Sequence, residues 1–209
     1  MNAGNAALLK ANAEQNSLGN IRINIQGLWS KLGLGISLAD GQDSHASSHI
    51  DMGSNTATET IDRYCGEMDI SKRDLILLDI EGAEEEALKG AENFLKLPKD
   101  QAPILVYEIH RSYVDWSNGL RNTHLINWLT DLGYESFALR DYQTNFSMAG
   151  KPIELVTLDD IYLEGPPHGF NMVAVKDRDL LQGSNIKFVS GVSPKLLFHR
   201  DPRWDAPGG

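Results

Sequence analysis

One cysteine, Cys65, is all the chain contains, so no internal disulfide can form and the composition fits a reducing compartment. Basic residues are scarce as well. The 19 Lys and Arg face 29 Asp and Glu, and the resulting formal charge of -10 repels phosphate backbones and anionic membranes at long range. Nucleic acid and membrane surfaces are therefore excluded as expected partners. No apolar run approaches the roughly 18 residues of a transmembrane helix, and the start, Met1-Asn-Ala-Gly-Asn5, has neither the basic nor the apolar region of a signal peptide. A cytoplasmic location is expected. Nor is there a nucleophile elbow, a phosphate-binding P-loop or a zinc-type cysteine pair. What the chain does have is 209 residues of which 41% are hydrophobic, enough for one globular domain with a real core.

Read in order, Asn5 to Asn16 suits a helix, and Ser17-Leu-Gly-Asn20 punctuates it. Ile21-Arg-Ile23-Asn-Ile25-Gln26 alternates strictly between apolar and polar, which predicts an edge strand with one solvated face. Residues 37 to 58 are rich in Ser, Gly, Asp, His and Thr without periodicity and read as an irregular connection. Within it, His45 and His49 lie four apart, a spacing compatible with metal ligands, but their Ser- and Asp-rich flanks read as a solvated loop. Thr58 to Cys65 then predicts a short helix entered through a Thr cap.

The densest information lies between Asp74 and Gly90. Leu75 to Leu78 form an unbroken apolar run, as in a parallel strand covered on both faces, and Asp79 and Glu81 follow at its carboxyl end. Open α/β sheets place their ligands at such ends. Next, Ala87, Leu88, Ala91, Phe94 and Leu95 recur at helical spacing, while Glu84, Glu85 and Glu86 crowd the first turn as a solvated helix start that complements the dipole. Pro103 to His110 is a second buried strand ending in polar residues, so two βα units stand in series. Thr123 to Leu132 predicts a helix stopped by Gly133, and Tyr134 to Arg140 a further strand. A long insertion from Asp141 to His168 precedes Phe170 to Val175, which closes the sheet; residues 179–209 read as a tail of mixed character.

These residues resemble the FkbM-type methyltransferases. The family signature is a buried strand ending in Asp-x-Glu-Gly-x-Glu, followed by a helix carrying Leu-Lys-Gly-Ala, and Asp79-Ile-Glu81-Gly82-Ala-Glu84 with Leu88-Lys-Gly90-Ala matches it. The helix at Asn5 to Asn12, the Gly27-Leu-Trp-Ser30 segment, the Thr58 to Asp62 element and the strand ending Tyr107-Glu-Ile-His110 follow in the same order. The resemblance covers residues 1–178 and implies an α/β fold, a Rossmann-like class I methyltransferase sheet with helices on both faces, that binds S-adenosylmethionine. It also implies methylation of oxygen atoms on small molecules or glycans. The family's opening strand, glycine-rich turn, helix and second strand have no counterpart in this sequence, so the core is expected to be N-terminally truncated, with Ile21, Ile23 and Ile25 lacking a sheet neighbour.

Roles follow from that resemblance. Methyl transfer is an in-line displacement, and a carboxylate or His beside the acceptor suffices to take its proton. Asp79 and His110 are the candidate catalytic residues, Glu81 and Glu108 the candidate substrate-binding residues, and Leu28 and Trp29 the apolar wall expected to hold the cofactor. Each has a bland alternative: backbone capping for Asp79 and Glu81, a carbonyl-fixed ring for His110, plain packing for Trp29. Gly82 and Gly90 are expected to serve a turn and close packing rather than phosphate binding. Two other classes stay open, a catalytically silent fragment or binding module, and a metal-dependent hydrolase using Asp79, Glu81, Glu108 and His110 as ligands.

Overall fold

The computed structural model describes residues 3–39, 49–52, 56–140, 149–161, 163 and 169–194. His45 lies outside them, as does half of the 141–168 insertion. The chain divides into two units, one made of residues 1–69 with 86–92, the other of residues 70–85 with 93–209.

The first unit begins with helix α1 (Ala3–Gln15). The alternating run after it is not a strand: residues 21–26 carry no ladder among the described residues, and β1 (Gly27–Leu28) pairs parallel to β4 (Thr56–Glu59). Alternation predicts a strand only where a partner edge is available, and Ile21 and Ile25 stay exposed. The connection read as irregular is partly ordered. β2 (Gly35–Ala39) pairs antiparallel with β3 (His49–Met52) and with β4, completing a four-stranded sheet in the order β1-β4-β2-β3. Polar, Gly-containing sequence hid these strands, because cross-strand pairing rather than apolar content defines them. Helix α2 (Ile61–Glu67) has the expected Thr cap, the Thr60 side chain accepting from the Arg63 N–H at 3.2 Å, but begins later than expected because Thr58 and Glu59 belong to β4.

The second unit holds a six-stranded mixed sheet in the order β10-β8-β7-β9-β6-β5, with β5 (Leu75–Leu78), β6 (Ile104–Ile109), β7 (Glu135–Leu139), β8 (Ile153–Val156), β9 (Phe170–Val175) and β10 (Ile186–Val189). β5 and β6 are parallel neighbours, whereas β9 inserts antiparallel between β6 and β7. The mixed α/β architecture agrees with the Rossmann-like methyltransferase class implied by the resemblance. Phe137, Leu155, Val173, Val175 and Leu181 form a shared core on one side of this sheet. Between β7 and β8, Arg140 and Glu154 make an ion pair of 2.6 Å with side chains only 2% and 0% exposed. Charges so buried are held because each satisfies the other.

Two expectations about the central segment need correction. β5 is an edge strand of its sheet and is not covered on both faces: Ile76 and Leu78 are buried, but Leu75 and Leu77 are 52% and 64% exposed. An apolar run records what a strand can bury, and a neighbour must exist to bury it. The helix expected across residues 84–95 is two short helices, α3 (Glu84–Lys89) and α4 (Glu92–Leu95), broken at Gly90-Ala91. The apolar stripe survives the break, since Ala87, Leu88, Ala91 and Leu95 are all completely buried. α5 (His124–Asp131) runs as predicted, with Leu125, Ile126 and Leu129 facing inward.

Candidate functional site

Parallel pairing aligns Leu78 with Tyr107, so the polar residues that end β5 and β6 emerge at the same edge of the second unit's sheet. Side chains at adjacent parallel strand ends converge, which is why such edges hold ligands. Asp79 is exposed there. Glu81 follows in a tight turn, with φ of 57°, a left-handed conformation that costs a non-glycine residue about 1 kcal/mol or more. Gly82 continues the turn at φ 95°.

Glu84 is the residue that residue-by-residue reading misplaced. It is no solvated helix start: it is only 6% exposed, and its carboxylate accepts the Ile80 N–H at 2.8 Å. It thereby performs the backbone-capping role considered for Asp79. Desolvation pushes the Glu84 carboxyl above the usual range, against the lowering effect of hydrogen bonds from the backbone at Ile80, Glu84 and Gly82. The third acid of the signature was the available signal for this role. Its burial was not readable, because it depends on the turn folding back over the side chain.

The loop after β6 supplies the other half. The Ser112 N–H donates to His110 Nδ1 at 3.0 Å, so the neutral imidazole carries its proton on Nε2. The tautomer follows from that bond: His110 presents a donor at Nε2, and it can take a proton only by giving up its contact with Ser112. Tyr113, absent from the sequence candidates, lies at the centre. Its hydroxyl is 3.4 Å from Glu81 Oε2 and its ring centroid 5.4 Å from that of His110. Desolvation, then the Glu81, Glu108 and Glu84 carboxylates, raise its phenol above the ordinary value. Glu81 and His110 therefore meet at one phenol, on which the Glu108 carboxylate acts electrostatically. Among the described residues no group of three His, Cys, Asp or Glu side chains is arranged to hold a metal ion. The metal-dependent hydrolase reading of Asp79, Glu81, Glu108 and His110 gains no support from that search.

Leu28 and Trp29 belong to the first unit and are half-buried. The Trp29 N–H donates to the Glu59 carbonyl at 2.9 Å, and its own carbonyl presses on Gly90, where a Cβ would collide with it. The backbone of Trp29 is thus committed to structure. Nearby in the same unit, Ser30 donates to Glu86, and Lys89 pairs with Glu86 at 3.0 Å. Burial pushes the Glu86 carboxyl up, but these two donors outweigh it and the net displacement is downward.

No helix among the described residues is long and apolar enough to cross a membrane. Neither the curated proteins nor the solved structures include a match to this sequence. The profile of the Methyltransferase FkbM domain, however, matches residues 4–136, well over half of the chain, and includes the whole Asp79 to Gly90 signature. The chain belongs to the FkbM methyltransferase domain family.

Proposed function

We propose that this chain is an S-adenosylmethionine-dependent methyltransferase acting on a hydroxyl of a small molecule or a glycan. The observation that carries the reading is the intact Asp79 to Glu84 signature at the same sheet edge as Glu108 and His110, in a chain of the FkbM family. Asp79 is the proposed base, since its exposed carboxylate is uncommitted to the capping role that Glu84 fulfils. His110, through Nε2, is proposed to orient the acceptor as a hydrogen-bond donor. Glu81 and Glu108 are proposed to accept hydroxyl hydrogens of the same substrate. The acidic edge and the net charge of -10 favour neutral or cationic acceptors over anionic ones, so nucleic acid and membrane are not proposed as partners and a cytoplasmic setting is.

S-Adenosylmethionine would supply the transferable methyl group on a sulfonium. The described residues fit this donor incompletely. Half-buried Leu28 and Trp29 suit an adenine face, while among the described residues no Gly-x-Gly turn leads from a strand into a helix to take the methionine end.

A silent binding module is the second reading, favoured by exposed Leu75 and Leu77 on β5. Calorimetric titration of the full chain with S-adenosylmethionine, followed by labelled methyl transfer to a panel of polyhydroxylated acceptors, separates the two. Transfer that falls at least about 100-fold in Asp79→Asn supports the enzyme. Absence of both binding and transfer supports the module, and transfer indifferent to Asp79→Asn removes the proposed base.

A further inference from the structure

Tyr113 ties the Glu81-Gly82 turn to His110 at the acceptor edge, and neither the family signature nor the sequence reading assigns it a role. Its backbone N–H donates to the His110 carbonyl at 3.0 Å, so the turn that carries it starts at His110 itself. Its ring lies flat on the Glu81-Gly82 turn: a Cβ on Gly82 would stand 2.5 Å from Cγ of the ring and 2.9 Å from both Cδ atoms. Contact that close is possible only because residue 82 has no side chain. The phenol then reaches Glu81 Oε2 at 3.4 Å, a long hydrogen bond of the kind that tightens on ligand binding. One residue thus touches the end of β5 through Glu81 and Gly82, and the end of β6 through His110.

We infer that Tyr113 is a positioning residue for the acceptor edge, clamping the Glu81-Gly82 turn beneath its ring and engaging one oxygen of the Glu81 carboxylate so that the other stays available to a ligand hydroxyl. Its link to an acceptor rests on the methyltransferase reading, whereas the link between Tyr113 and Glu81 does not. Two features support the clamp. Glu81 occupies a left-handed conformation that needs external support, and the ring supplies it by packing on the next residue. The phenol also remains protonated, and so remains a donor, because desolvation and the carboxylates of Glu81, Glu108 and Glu84 all oppose its ionisation.

The test is a tyrosine ring-carbon NMR titration of the full chain, with the Tyr113 resonance assigned by its loss in Tyr113→Phe. Glu81→Gln is expected to lower the Tyr113 titration midpoint by about half a unit or more. Asp74→Asn, which removes an equal charge from an exposed position before β5, is expected to leave it unchanged. Tyr113→Phe, which keeps the ring, is expected to retain the wild-type melting temperature, while Tyr113→Ala lowers it. A Tyr113 midpoint that ignores Glu81→Gln, or that moves equally with Asp74→Asn, overturns the proposal. If Glu81→Gln does not fold, Glu81→Asp, which withdraws the carboxylate by one methylene, is read for the same downward shift against the same control. S-Adenosylmethionine calorimetry on the wild-type chain is an independent readout: absence of cofactor binding there overturns the methyltransferase reading and leaves the phenol result standing.

Discussion

Gly82 and Gly90 belong to the same signature, eight positions apart in sequence, yet they admit different neighbours. At Gly82 the missing Cβ makes room for an aromatic side chain, Tyr113, and the turn has a left-handed backbone. At Gly90 it makes room for the backbone carbonyl of Trp29, and the Gly90 carbonyl in turn accepts the Asp62 N–H at 2.8 Å. A side chain can swing aside at modest cost; a main-chain carbonyl held in a hydrogen-bonded element cannot. The first glycine therefore serves a site whose geometry can adjust, the second a junction that cannot.

If that contrast is right, Gly90→Ala is the most damaging single change near the signature. Its Cβ would collide with the Trp29 carbonyl and lie 3.1 Å from the Ala87 oxygen. A loss of about 3 kcal/mol is expected in urea unfolding, and a loss below about 0.5 kcal/mol would refute the rigid-junction account. Gly82→Ala should cost less, about 1 to 2 kcal/mol, because φ of 95° is strained for alanine and the Tyr113 ring must move. The same variant should displace the Tyr113 NMR signal, and Gly90→Ala, if it folds, should not.

Glu84→Gln sharpens the comparison through pH. Burial raises the folded-state Glu84 carboxyl above its unfolded value, so its contribution is fully present below the ordinary glutamate range and is lost as pH rises through the raised folded value. Chemical denaturation across that window should show wild type losing stability relative to Glu84→Gln as pH increases. A difference that is flat, or that slopes the other way, would mean that the hydrogen bond from Ile80 outweighs desolvation. The smallest effect is expected at the open face of β5. Leu77 is 64% exposed, so Leu77→Ser should change stability by no more than about 0.5 kcal/mol. A larger loss would show that something covers this face.

The position of the candidate residues at strand ends is legible in the sequence. Asp79, Glu81, Glu108 and His110 were placed at strand ends because apolar runs followed by polar residues mark a buried strand leaving its sheet, and β5 and β6 are indeed adjacent and parallel. Tyr113 was invisible, since nothing in Arg111-Ser-Tyr113 announces that the loop folds its ring onto Gly82. Glu84 looked like its neighbours Glu85 and Glu86, and only the turn's closure separates a buried acceptor from partly exposed acids. The Ile21 to Gln26 alternation failed for the converse reason, because periodicity proposes a strand and a partner must accept it.

Local chemistry in the sequence thus determined the element types that depend on nearest neighbours: the Thr60-capped helix, the apolar strands β5 and β6, the stop at Gly133 and the signature itself. Tertiary structure alone decided which strands found partners, why β9 lies antiparallel between β6 and β7, and which carboxylate among several lost its water. Those outcomes hang on contacts between residues distant in the chain, and burial, unlike propensity, is a property of what comes to lie next to a residue rather than of the residue.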